Sequence, residues 1–174
     1  MNAPGPIPLA RAQKMAEKIA EAITPWCAKV EIAGSIRRRR AFCGDIDLVC
    51  LPKGGDLASL QARFKKSAWA EKEGVQNAIY HLQNGVQLDV FFAWEKTDMF
   101  EGTSTNWGSL LLCRTGSAAH NIWLIQHSKT LDLVWHPYNG VVELEKGRVI
   151  ASASEEAIFK TLKLDFIPPE QRER

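Results

Sequence analysis

The chain has 174 residues, of which 45% are hydrophobic and 24% are charged, which is typical of a soluble globular protein with one domain or two small ones. Its formal net charge is only +2, which excludes a histone-like basic body, so any nucleic-acid binding must come from local basic patches. The four cysteines show no CxxC spacing, and no stretch is typical of a signal peptide or a membrane span. We therefore expect a cytoplasmic protein without disulfides.

The first half of the chain predicts helices and strands in turn. Hydrophobic residues recur every three to four positions from Leu9 onward, which predicts a helix that Pro25 ends. Asp56 is a suitable cap for a second helix that reaches about residue 69. An Asn-Gly pair at 84–85 is typical of a hairpin turn. The predicted strands of this half cover residues 28–36, 45–51, 75–83 and 86–94.

The second half begins with a polar stretch over residues 96–106, which is a candidate boundary between two subdomains. Short helices are predicted at 107–114 and, with Ser117 as its cap, at 118–129. Ser154 opens a last helix, because Glu155 and Glu156 favour the first turn of a helix. Short strands are predicted at residues 131–135 and 141–145.

Two acids stand at the head of the second predicted strand, Asp45 and Asp47. Their side chains point to the same side of the strand because side chains alternate between its faces. Neighbouring carboxylates repel each other, so the pair predicts a bound cation, and Mg²⁺ suits clustered carboxylates and phosphate oxygens. Asp89 is the best third ligand, because a neighbouring strand of the same sheet would bring it beside the pair. Two metal ions held in this way can serve nucleotidyl transfer, in which Asp89 could also accept the proton of the attacking hydroxyl.

A candidate phosphate-binding loop precedes these acids. Gly34 would let backbone amides approach a phosphate closely, and Ser35 would add a hydroxyl donor. The basic run at residues 37–40 follows, and at least one of its guanidinium groups should reach a triphosphate. Alternation along the run favours Arg38 over Arg37 and Arg39.

Taken together, these motifs resemble one known family. The stretches GSIRR (34–38), GDIDL (44–48) and LDV (88–90) are similar to the nucleotidyltransferase core of the family X DNA polymerases, the DNA polymerase beta group. RTGSAAHN (114–121) is similar to the TGS-x-x-HN segment of that family. The stretches SEEAIF (154–159) and IPPEQRE (167–173) resemble its C-terminal signature, and IPL (7–9) resembles the start of its palm.

The resemblance implies an α+β fold with two parts. Residues 1–99 would form a nucleotidyltransferase palm, a mixed β-sheet with flanking helices, and residues 100–174 a small α/β thumb-like subdomain. The resemblance also assigns site residues, with two Mg²⁺ ions as cofactors and Mn²⁺ as a substitute. Asp45, Asp47 and Asp89 would be the metal ligands and catalytic residues. The nucleotide would contact Gly34, Ser35, Arg38, Gly116 and Asn121.

The implied activity is that of a minimal, monomeric family X DNA polymerase, which binds DNA and a nucleoside triphosphate and fills gaps during repair. The lyase and helix-hairpin-helix segments of larger members are not expected. Cys113 and Arg114 replace an aromatic pair that crowds the sugar 2′ position in the family, and Pro6 replaces an arginine found in some members. Two alternatives stay open: a nucleotidyltransferase that acts on RNA, a protein or a small molecule, and a non-catalytic nucleic-acid-binding subunit.

Overall fold

A computed structural model describes residues 5–99 and 102–173. The chain divides into two compact units, Met1–Phe92 and Ala93–Arg174. The division falls before the polar stretch at residues 96–106, the candidate boundary in the sequence. The predicted boundary at residue 99 stays a prediction.

The first unit is built around a sheet of five strands. The strands of the unit are β1 (Ile7–Pro8), β2 (Cys27–Ile32), β3 (Phe42–Cys43), β4 (Ile46–Pro52), β5 (Ala68–Glu73), β6 (Asn77–Leu82) and β7 (Gln87–Phe92). The larger sheet has the order β2-β4-β7-β6-β5, and β1 pairs with β3 in a small second sheet. Within the larger sheet, β4 and β7 are parallel and the other neighbours are antiparallel. The helices are α1 (Leu9–Ile23), α2 (Gly34–Arg37) and α3 (Leu57–Phe64).

One face of this sheet forms the hydrophobic core together with α1 and α3. Alternate residues of β4 and β7 belong to it, as do buried residues of the two helices: Ile46, Leu48, Cys50, Leu88, Val90, Ala12, Ala16, Leu60 and Phe64. Since side chains alternate along a strand, the residues between them face the other side of the sheet. This alternation decides where the acids of β4 and β7 point.

Two elements of the first unit differ from the sequence prediction. The strand predicted over residues 28–36 ends at Ile32, because the chain turns into α2 at Gly34. The helix expected to reach residue 69 ends at Phe64, and Trp69 lies in β5. The predicted cap is confirmed, since the Ser59 amide donates to Asp56 Oδ1 at 3.0 Å. We did not predict β5 from the sequence, because its residues, AWAEKE, include no β-branched residue and carry three charges.

The second unit packs helices on a small antiparallel sheet. Its strands are β8 (Glu95–Asp98), β9 (Gly102–Thr105), β10 (Leu133–His136), β11 (Gly140–Glu143) and β12 (Val149–Ala151). Its helices are α4 (Trp107–Thr115), α5 (Ala118–Lys129) and α6 (Glu155–Thr161). β10, β11 and β12 form one sheet, and β8 pairs with β9. The core of this unit contains Leu112, Leu124, Trp135, Val141, Ile158, Phe159 and Leu162.

The predicted caps of this unit are confirmed. The His120 amide donates to Ser117 Oγ at 3.3 Å, and the Ala157 amide donates to Ser154 Oγ at 3.1 Å. The β8–β9 hairpin and β12 were not predicted. In the part of the chain that the structure describes, no helix is long and apolar enough to cross a membrane. The α+β fold predicted from the sequence is confirmed.

Candidate active site

Two of the predicted catalytic acids are direct neighbours in the sheet. Asp47 on β4 and Asp89 on β7 are register partners in the parallel pair. The residues on either side of each acid are buried in the core, so both carboxylates belong to the opposite face. Adjacent strands lie about 4.8 Å apart, and both acids are half-buried. Two like charges are therefore held side by side on a rigid part of the fold.

Asp45 lies just before this pair. It precedes β4 by one residue, in a bend, and is also half-buried. Across residues 5–99 and 102–173, no three His, Cys, Asp or Glu side chains form a group that could hold a metal ion. The oxygen donors of the register pair fit a hard cation such as Mg²⁺. The three-acid metal site stays a prediction.

Gly34 is packed against the Asp47 carboxylate. Its φ is +57°, and a Cβ added there would lie 1.8 Å from Asp47 Oδ2. Any other residue would both strain the left-handed backbone and displace the carboxylate. Glycine at this position therefore allows the predicted phosphate loop to touch the acid pair.

The segment that begins at Gly34 is a short helix, and Arg38 follows it directly. Gly34–Arg37 form α2, with the Arg38 amide donating to the Gly34 carbonyl at 3.2 Å. Strand alternation, on which we chose Arg38, does not apply to a helical segment. The preference for Arg38 on the ground of strand alternation is therefore wrong, while the predicted contact of half-buried Arg38 with a triphosphate stays a prediction.

The side chain of Ser35 carries a hydroxyl group whose hydrogen-bonding capacity is not used within the described residues. Its Oγ is buried and has no hydrogen-bond partner among the described residues. Buried hydroxyl groups are normally hydrogen-bonded, because an unpaired one costs free energy. The Ser35 hydroxyl is thus an available donor one residue from Gly34.

Sequence reasoning missed one contact of the acid pair. Gln87 Nε2 donates to Asp89 Oδ1 at 2.9 Å. The two residues are separated by one position on β7 and share a face of the sheet. The available signal was a polar residue two positions before the acid within an otherwise apolar strand.

The remaining predicted residues lie in the second unit. Gly116, with a φ of +72°, follows α4. Asn121 lies in the first turn of α5, where its Nδ2 donates to the Cys113 carbonyl at 2.8 Å. Its Oδ1 is buried without a hydrogen-bond partner in the described part of the chain. The roles of Gly116 and Asn121 in nucleotide binding stay predictions.

Comparison with known proteins supports the resemblance at two levels. Residues 110–173 match the family model described as DNA polymerase beta thumb. The resemblance to the DNA polymerase beta group is confirmed. The matched range contains the TGS segment, the SEEAIF stretch and the IPPEQRE stretch on which the sequence analysis relied.

The fold of this chain is shared with solved structures. A Leishmania infantum polymerase beta in a ternary gap complex matches with a TM-score of 0.78 and 16% identity, over 97% of this chain and 71% of that one. The same protein in a ternary P/T complex matches with a TM-score of 0.73 and 18% identity, over 97% and 77%. At this level of identity the likeness establishes the fold. No curated protein is similar enough to be matched.

Proposed function

We propose that this chain is a family X DNA polymerase, which transfers a nucleotide from a deoxynucleoside triphosphate to the 3′-hydroxyl of DNA. The observation that carries the proposal is the register pairing of Asp47 with Asp89, with Gly34 packed against Asp47. Two adjacent carboxylates supply the oxygen ligands that a hard divalent cation prefers, and phosphoryl transfer uses such a cation next to the phosphates. The solved polymerase beta complexes with a similar fold support DNA as the partner.

Different residues of the first unit have different roles in this reaction. Ser35 donates its unpaired hydroxyl to a phosphate oxygen, and Arg38 neutralises part of the triphosphate charge. The 3′-oxygen attacks the α-phosphorus while the bond to pyrophosphate breaks, and the proton of the hydroxyl passes to Asp89. Asp45, Asp47 and Asp89 would hold two Mg²⁺ ions, which supply charge neutralisation when bound.

In the second unit, Gly116 and Asn121 are the proposed contacts to the incoming nucleotide. The buried Asn121 Oδ1 is not hydrogen-bonded within the described residues, so a ligand or water that reaches it gains a contact at little cost. In this arrangement, the amide nitrogen is already bonded to the Cys113 carbonyl. To donate a hydrogen bond to a base, Asn121 Nδ2 would therefore have to release its hydrogen bond to the Cys113 carbonyl.

Primer extension tests the proposal. The purified chain is given deoxynucleotides or ribonucleotides in Mg²⁺ or Mn²⁺, with a gapped DNA, an open primer-template, an RNA primer or no primer. We expect incorporation on DNA with deoxynucleotides, and faster incorporation on the gapped substrate. Transfer only to RNA or to a non-nucleic-acid acceptor would replace the DNA polymerase proposal with the broader nucleotidyltransferase alternative. DNA binding without transfer under every condition would make the chain a non-catalytic binding subunit.

A further inference from the structure

The hydrogen bond from Gln87 to Asp89 lies at the centre of the candidate site. Both side chains project from the same face of β7, and Leu88 between them is 1% exposed within the core. The Gln87 amide therefore reaches Asp89 Oδ1 from a backbone that packing holds in place, at 2.9 Å. We propose that Gln87 is a positioning residue, which fixes the Asp89 carboxylate in the orientation needed to bind a divalent cation. This inference rests on the proposed function.

The chemistry of an amide suits this task. A carboxylate has two oxygens with about four acceptor sites, and the N–H donor of Gln87 occupies only one of them. The amide carries no charge and orients the carboxylate without neutralising it. Partners that hold a metal-binding side chain in place commonly change metal affinity or activity about 10- to 100-fold when they are lost.

A row of side chains continues from Gln87 across the sheet. Gln87 is the register partner of His81 on β6, and His81 is the register partner of Trp69 on β5. The Trp69 and His81 rings are stacked with centroids 4.3 Å apart and an interplanar angle of 14°, and His81 Nε2 contacts Glu71 Oε2. Directly opposed side chains on antiparallel strands have their Cβ atoms about 5 Å apart. The amide of Gln87 thus has an ordered neighbour on the side away from β4.

The test compares three substitutions. Gln87→Met keeps the length of the side chain and removes the donor, while Gln87→Glu puts a second negative charge two residues from Asp89. Gln83→Leu is the matched control, because Gln83 is exposed at the hairpin turn of the same pair of strands. Two quantities are measured: single-nucleotide incorporation into gapped DNA, and Mn²⁺ binding to the protein alone by isothermal titration calorimetry.

We expect Gln87→Met to lower kcat about tenfold and to leave the KM for the nucleotide within about twofold, because the triphosphate is held by other residues. Mn²⁺ binding should weaken by a similar factor. Gln87→Glu should lose more incorporation than Gln87→Met, because the new carboxylate repels Asp89. Gln83→Leu should match the wild type in both measurements.

Equal kcat and equal Mn²⁺ affinity in Gln87→Met and Gln83→Leu would overturn the inference. A rise in KM with kcat unchanged would also overturn it, since that pattern indicates lost substrate binding rather than a misplaced acid. If the wild type incorporates no nucleotide on any primer, the proposed function fails. The Mn²⁺ titration still tests Gln87 in that case, because it needs no substrate.

Discussion

The two units of the molecule bury charge in opposite ways. In the first unit, Asp47 and Asp89 carry the same charge, are half-buried and are paired across two parallel strands. In the second unit, Glu155 and Arg172 carry opposite charges and are almost fully buried, with side-chain exposures of 4% and 0%. Arg172 Nη1 lies 2.6 Å from Glu155 Oε1, and its Nε donates to the Ile167 carbonyl at 2.8 Å.

From this difference we infer different roles for the two pairs. In the second unit, Arg172 and Glu155 neutralise each other's charge. The Arg172 carbonyl also accepts a hydrogen bond from Ser117 Oγ at 2.8 Å, so Arg172 connects the C-terminal segment to α6 and to the start of α5. The pair in the first unit consists of two acids, which stabilise a fold less than two apolar residues would. We therefore expect substitutions to affect activity in the first unit and stability in the second.

The largest effect is expected at the acid pair. Asp47→Ala or Asp89→Ala should lower incorporation on the order of 10⁴-fold, because charge stabilisation supplies most of the catalysis of phosphoryl transfer. The free energy of unfolding should change by less than about 1 kcal/mol. Primer extension and chemical denaturation of the same preparations give both numbers. A variant that unfolds while the residual folded protein keeps full activity would reverse the assignment of this pair.

The next effect is expected at the buried ion pair. Arg172→Met leaves the Glu155 carboxylate buried without its cation, which should cost about 3–5 kcal/mol of stability. The control is Arg148→Met, which removes an exposed partner of Glu143 at 3.4 Å and should cost less than about 1 kcal/mol. Urea denaturation measures both. Similar losses in the two variants would show that burial of the Arg172 pair has no special importance.

A smaller and more selective effect is expected at Gly34. Gly34→Ala and Gly54→Ala both place a side chain on a left-handed backbone, with φ values of +57° and +61°, and each should cost about 1–2 kcal/mol. Only Gly34 faces Asp47, since no heavy atom of the described residues lies within 4 Å of a Cβ at Gly54. Gly34→Ala should therefore also lower incorporation about 100-fold by displacing the carboxylate. Equal incorporation by the two variants would contradict the role given to this contact.

The sequence was sufficient to predict those features of the fold that depend on local patterns. From the sequence we expected a neighbouring strand to bring Asp89 beside the acids of the second strand, and β7 does pair Asp89 with Asp47. The Asn-Gly pair at 84–85 correctly predicted the hairpin of β6 and β7. Side-chain caps at Asp56, Ser117 and Ser154 lie at the starts of α3, α5 and α6. Each of these signals depends on neighbours within a few positions along the chain.

The features that the sequence did not predict depend on contacts between strands or on the conformations of side chains. The turn of α2 follows from the close approach of Gly34 to Asp47, which lies thirteen positions further on, and a strand pattern over 28–36 cannot show it. β5 carries three charges and is held in the sheet by β6 rather than by its own propensity. The bond from Gln87 to Asp89 depends on side-chain conformation, which the residue types alone do not specify.

The central claim is that Asp47 and Asp89 form one cation-binding pair, and Mn²⁺ titration in the presence of a non-hydrolysable deoxynucleoside triphosphate tests it most directly. Calorimetry compares the wild type with Asp47→Asn and Asp89→Asn, which keep the shape of the side chains and remove one charge each. The account predicts that the wild type binds Mn²⁺ and that each variant loses most of this binding while its thermal unfolding stays close to that of the wild type. Equal Mn²⁺ binding by all three proteins, or none by the wild type, would contradict it.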